Sequence, residues 1–275
     1  MRTRSACLLL MLAMPTAAER PLTRSEQAVI NFGFATQLGS GIYSLSGRTL
    51  QVYRLPFAYT PPVDEDTRVR PRITLPLTLG FVDFKPRDVV ETGVPERIDS
   101  LSFVPGLALH IAVREGWELE PFAEAGIARD PASEADQNVY AAGLRSRYDF
   151  GDGPTNWQLY NELVHVVVEQ DSLDRTDEFT RFRVGTTARR PFDTERSDRR
   201  ADFESYGLIE VVLDPPGGPA GSRPEGGEAM QYEVGFTLGA TEPLRVWGIK
   251  LPRVGFGYRF GEGLSVYRIV FGSPY

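Results

Sequence analysis

The side chains able to do chemistry sit at every second residue. Glu118, Glu120 and Glu124 share one parity of their segment, Arg145 and Arg147 that of the next, and Arg181, Arg183 and Arg189 that of a third. Spacing of two places side chains on one face of a β-strand, so these eight are expected to form one belt of opposite charges, with Glu162 and Arg259 joining by parity. Such a belt inside a barrel either sets a transverse field that selects small polar solutes or ties neighbouring strands together by ion pairs. Glu118 and Glu120 are also an acid/base pair in principle, but facing arginine-rich strands they read as ion-pair partners. The two histidines, His110 and His165, give the other chemical reading, a lipid- or peptide-directed hydrolase, since a nucleophile needs a base beside it. By parity His110 faces inward and His165 outward, and no serine lies in a recognisable motif with either. No catalytic residue is assigned.

The segments that carry these residues read as strands. Ile73, Leu75, Leu77, Leu79 and Phe81 alternate with Thr74, Pro76, Thr78 and Gly80. Leu101, Phe103, Leu107, Leu109, Ile111 and Val113 alternate with Ser102, Gly106, Ala108, His110 and Ala112, and Val254, Phe256, Tyr258 and Phe260 with Gly255, Gly257 and Arg259. Alternation over this length excludes helical spacing. Twelve such segments are expected, near 28–38, 49–59, 73–84, 101–113, 117–128, 138–148, 157–168, 179–190, 201–213, 230–240, 249–260 and 264–275. The alternation in the ninth is too weak to assign its faces. Gly/Pro/Asp-rich connections separate the strands, including Gly39 to Gly47, Lys85 to Asp99 and Asp214 to Glu228, with a tight link at Arg114 to Gly116.

The chain begins with Arg2 and Arg4, an apolar stretch from Ala6 to Met14 and small residues up to Ala18, the pattern of a secretory signal cut near Ala18. Residues 1–18 are therefore expected to be a signal peptide and 19–275 a single domain. The single cysteine, Cys7, falls within the leader and away from the cut. The formal net charge of −7 and the lack of a basic stripe argue against nucleic acid as a partner. No apolar run reaches the roughly 18 residues of a spanning helix. A soluble β-sandwich competes with a transmembrane barrel for the same alternation. An even strand count, strand lengths near ten residues, Tyr59, Trp117, Trp157 and Trp247 near strand ends, and a last strand keeping its parity to Tyr275 favour the barrel. The expected fold is all-β, an antiparallel transmembrane β-barrel of about 12 strands.

The stretch Leu251 to Tyr275, LPRVGFGYRFGEGLSVYRIVFGSPY, with twelve strands and a signal but no passenger region, resembles the solitary outer-membrane autotransporter-like β-barrel family of Gram-negative bacteria. The resemblance spans nearly the whole mature chain. It implies the barrel fold, the outer membrane of a Gram-negative bacterium, insertion by the barrel-assembly machinery, and outer-membrane lipid and lipopolysaccharide as surroundings. Only Glu19 to Gln27 precedes the first expected strand, so passenger secretion does not carry over, and Pro274 departs from the usual final-strand pattern. The functional expectation is a non-enzymatic barrel, structural or a narrow pore, with the hydrolase and a surface-loop adhesin or receptor as alternatives. Acidic stretches Glu91 to Asp99 and Glu169 to Glu178 read first as solvated loops and second as divalent-cation sites. No zinc spacing, phosphate loop or dinucleotide fingerprint is present, and no cofactor is expected.

Overall fold

A computed structural model describes residues 40–45, 48–62, 67–82, 100–130, 135–151, 153–170, 175–192, 201–213, 228–240, 245–246, 249–250, 253–261 and 264–272. The leader, the expected strand 28–38, the acidic stretch Glu91 to Asp99, Trp247 and the terminal Pro274 and Tyr275 lie outside them. The elements are β1 (Gly41–Leu45), β2 (Arg48–Tyr59), β3 (Val69–Val82), β4 (Ser100–Phe103), β5 (Gly106–Arg114), β6 (Trp117–Asp130), β7 (Ala135–Phe150), β8 (Asn156–Gln170), β9 (Arg175–Phe192), β10 (Ala201–Leu213), β11 (Glu228–Ala240), β12 (Arg245–Val246), β13 (Ile249–Lys250), β14 (Val254–Gly261) and β15 (Leu264–Phe271).

Each wall strand pairs antiparallel with its sequence neighbour, and β1 pairs with both β2 and β15, which closes the sheet on itself. β4 and β5 are one stave, because both pair with β3 and β6 in a single register. The described residues thus form a closed antiparallel β-barrel of twelve staves. A closed ring leaves no unpaired edge. We call the end where β1 begins and β15 finishes the terminal rim, and the opposite end the far rim.

The barrel is apolar outside and charged inside, which rules out the sandwich. Leu75, Phe103, Leu107, Leu144, Leu163, Val234 and Tyr267 are exposed, whereas Glu162, Arg183, Glu210, Glu233 and Arg259 are buried. The outward odd-numbered parity expected for 73–81 and 101–113 holds, as it does at Tyr267 and Ile269 of the last strand; Phe81, outward by register, is covered and meets the Tyr53 ring edge-on at 5.8 Å. At the terminal rim Arg114 lies over the Trp117 and Tyr148 rings, and Tyr148, Phe150 and Trp157 stack in series. Rings with one wet end suit a boundary between apolar and aqueous surroundings.

Three sequence expectations change. The first described strand is β1, inside the stretch Gly39 to Gly47 expected to be a connection, because Ile42 bridges Gln51 and Tyr267 to close the ring. The segment 249–260 splits: Ile249–Lys250 turns back on Arg245–Val246, and the wall strand starts only at Val254, beyond Pro252, which has no N–H for a ladder. The last strand ends at Phe271, where Gly272 takes φ of 85°. The tight link expected after Arg114 is present, turned by Gly116 at φ 72°.

Candidate functional site: the charged row in the lumen

Strand register brings the charges together. Arg70 is opposite His110 on the β3–β5 pair, and Glu120 is opposite Arg145 on β6–β7. Arg145 is then opposite Glu162, Glu162 opposite Arg183, and Arg183 opposite Glu210. A single inward row thus alternates base and acid from stave to stave between β6 and β10. On β11 and β14, one row nearer the terminal rim, Glu233 is opposite Arg259 and continues the alternation.

The side chains meet. His110 Nε2 is 2.8 Å from Glu120, and Arg145 donates to Glu120 at 2.7 Å and to Glu162 at 2.8 Å. Glu162 also accepts from Arg181 at 2.9 Å and from the Tyr160 hydroxyl at 3.0 Å, with Arg183 at 3.5 Å. Arg183 donates to Glu210, which accepts from Arg259 at 3.0 Å. Arg259 reaches Glu233 at 2.8 Å, and Glu233 accepts from Arg268 at 2.6 Å and from Tyr206 at 2.8 Å. Arg268 finally donates to the carbonyl of Ser40 at 3.3 Å. Arg259 is 0% exposed, and Glu210 and Glu233 are each 1% exposed. Desolvated charges persist only when paired and hydrogen-bonded; Glu162 and Glu210 each touch three guanidinium groups, and Glu233 two.

Of the eight sequence candidates, Glu120, Arg145, Arg181 and Arg183 belong to this network. Glu124 is buried on the same inner surface, against Gly106 and within the electrostatic reach of Arg54 on β2. Glu118 and Arg147 form a separate, half-exposed pair at 3.4 Å near the terminal rim. Arg189 joins a third group, donating with Arg253 to Asp202. The eight therefore fall into three clusters along the lumen, with Glu124 apart from all three, and not into one belt. Glu162 and Arg259 do take the places that parity gave them.

Parity missed Arg54, Asp202, Glu204, Tyr206, Glu210, Glu233, Arg253 and Arg268. Glu233 and Arg268 carry the alternation signal and needed only to be followed. Glu210 sits in the strand whose faces were unreadable, where the observed pattern turns Asp202, Glu204, Tyr206, Leu208, Glu210 and Val212 inward. Tyr206 reaches Glu233 by lying across Gly235 and Gly257: a Cβ at Gly257 would come within 2.2 Å of its hydroxyl.

His165 faces outward as expected. Its Nδ1 is 3.1 Å from Thr180 Oγ1 and its Nε2 is 3.8 Å from Glu178. These are cross-strand neighbours, Thr180 directly opposite and Glu178 opposite Val167. The backbone there belongs to the ladders that β8 and β9 form with each other and with β7 and β10. His110 has a carboxylate partner, Glu120, that is itself held by Arg145.

No protein-family model and no curated protein matches the sequence. A solved structure similar to the chain is the beta domain of the Bordetella autotransporter BrkA, 9% identical, with 84% of this chain and 93% of that chain covered at a TM-score of 0.47. The barrel rests on its own strand register, independent of that likeness.

Proposed function

We propose that the chain is an outer-membrane β-barrel protein with a structural, non-enzymatic role, its lumen closed at mid-height by the alternating charged row. The carrying observation is that row: its members are buried or half-buried and joined from stave to stave, which supports ion pairs standing in the path a hydrated solute would take. The outward apolar surface suits hydrocarbon, and in hydrocarbon only helices and closed barrels satisfy the backbone. Outer-membrane lipid and lipopolysaccharide would then surround the wall, with the barrel-assembly machinery inserting it after the leader is removed. The narrow-pore form of the same reading differs in one measurable respect. Single-channel recording of the refolded protein in planar bilayers is expected to show no discrete conductance, alongside a heat-modifiable folded band on a gel. Discrete steps whose ion selectivity shifts in Arg183→Glu would establish a pore and overturn the closed lumen.

A further inference from the structure

The outer surface of the wall is charged differently at its two ends. Successive residues of a strand alternate faces, so the outward residues of β6, β7, β8 and β9 are those in step with the exposed Ile127, Leu144, Leu163 and Phe182. Toward the far rim these positions carry Arg129 and His165 together with Asp136, Glu169 and Glu178, and each base has an acid beside it: Arg129 is 3.2 Å from Asp136 and His165 is 3.8 Å from Glu178. Toward the terminal rim the outward strand positions carry Arg114 and Arg190, both exposed, and no acid. Among the described residues neither arginine has a carboxylate within ion-pair distance, and Glu115, in the turn after Arg114, pairs with neither.

Arg114 is held in a particular way. A bulge between Ala112 and Arg114 brings it opposite Trp117 and onto the outer face. Its guanidinium carbon lies 5.4 Å from the centre of the Trp117 ring and 5.3 Å from that of Tyr148. The Trp117 N–H donates to Ser146 Oγ at 3.0 Å, which fixes the indole against the wall. Ring faces attract the cation but leave the N–H fork in the guanidinium plane free for a pair of oxygens. The level is also that of a boundary. From Trp117 to Arg129 along β6, at about 3.4 Å per residue and a tilt near 40°, the wall rises about 30 Å, enough to set the two charged ends on opposite sides of an apolar band about 25 Å tall.

Resting on the membrane reading above, we propose that Arg114, on its platform of Trp117 and Tyr148, is a binding site for the phosphodiester of a glycerophospholipid. Charge selects this ligand. Arg190 is four staves away, about 20 Å at the usual strand spacing, so a phosphate at Arg114 meets one guanidinium. A diester carries one negative charge and is neutralised there, whereas a phosphomonoester, as on lipopolysaccharide, carries nearly two and would keep the excess beside Glu115. The acids of the far rim repel the same group, which assigns the terminal rim to the phospholipid headgroups.

The test uses the full chain with Arg190→Gln, which removes the other outward cation of this rim. The refolded protein in detergent is titrated with phosphatidylglycerol, with diacylglycerol of the same chains and with the lipid portion of lipopolysaccharide, and bound lipid is counted by native mass spectrometry. Phosphatidylglycerol is expected to bind about tenfold or more tightly than diacylglycerol, the scale of a hydrogen-bonded charge. Adding Arg114→Gln should remove that preference, Arg114→Lys, which keeps the charge but not the fork, should restore part of it, and Arg129→Gln should leave it unchanged. Equal binding of phosphatidylglycerol with and without Arg114→Gln, in proteins that both show the folded, heat-modifiable band, would overturn the proposal. Tighter binding of the lipopolysaccharide lipid would overturn it too, since the site would then prefer a monoester. The membrane reading has its own readout: in vesicles, phospholipids brominated near the headgroup end of their chains should quench the tryptophan fluorescence of the wild type. Quenching without any effect of Arg114→Gln sinks the site alone, and absence of quenching sinks the membrane reading itself.

Discussion

Arg259 shows how the lumen trades desolvation against pairing. Its guanidinium holds Glu210 and Glu233 at 3.0 and 2.8 Å and also reaches Gln231 at 3.4 Å, all of them buried. Removing one member of a buried pair costs about 3–5 kcal/mol because the remaining charge stays buried without compensation. Arg259→Met is therefore expected to lower the unfolding free energy of the refolded barrel, read from urea titration, by an amount in that range, and Arg259→Lys, which keeps the charge but not the fork, by less. Equal midpoints for wild type and Arg259→Met would show that the network contributes nothing net. Tyr206 gives a sharper case. A methyl group at Gly257 displaces its hydroxyl from Glu233. Gly257→Ala should cost about 1–3 kcal/mol, the penalty of an unmade buried hydrogen bond, and much less when added to Tyr206→Phe, as a double-mutant cycle would reveal.

Among the elements, β8 carries both faces in their clearest form. Leu163 points outward and is 50% exposed, while Gln158 points inward and donates to Asp149 at 2.6 Å near the terminal rim. On the proposed membrane placement Leu163→Arg puts a cation in hydrocarbon, at about 2–4 kcal/mol near mid-membrane, and should reduce the folded, heat-modifiable fraction. Gln158→Arg puts the same charge beside Asp149 and should fold normally; if the two fold alike, the assignment of faces is wrong. The faces of such strands were legible in the sequence because an apolar outer face over a polar lumen puts apolar side chains at every second residue. β10 resisted the same reading because Leu208 and Val212 face the lumen among its acids, so apolar residues occur on both faces. β1 was missed because five residues carry too little alternation. The candidate site was legible only in part. Parity assigns each charge a face, but which acid meets which base is a matter of register, and register depends on turns and on pairs between distant segments. Glu118 and Glu120 are two residues apart in sequence and belong to different clusters.

At the scale of the whole molecule the decisive feature is the junction of β1 with β15, the single contact that turns a meander into a ring. Ile42 is opposite Tyr267 there, and Tyr43 is opposite Val266, which is fully buried. A sandwich would keep these two strands apart as free edges, exposed to pairing with other chains. Ile42→Cys with Tyr267→Cys, in a Cys7→Ser background, should form a disulfide in the folded protein, since directly opposite residues have Cα separations of about 4.5–5.5 Å, within the span a disulfide bridges. The bond would close a loop over most of the chain, so the unfolding free energy of the oxidised protein should exceed that of the reduced one by about 5 kcal/mol at most. The partner variant Ile42→Cys with Phe236→Cys, placed on β11 two staves from β15, should not crosslink. Failure of the first pair to oxidise in protein that still shows the folded, heat-modifiable band would mean an open sheet, and the buried charges of the lumen would then need a different shelter from water and lipid.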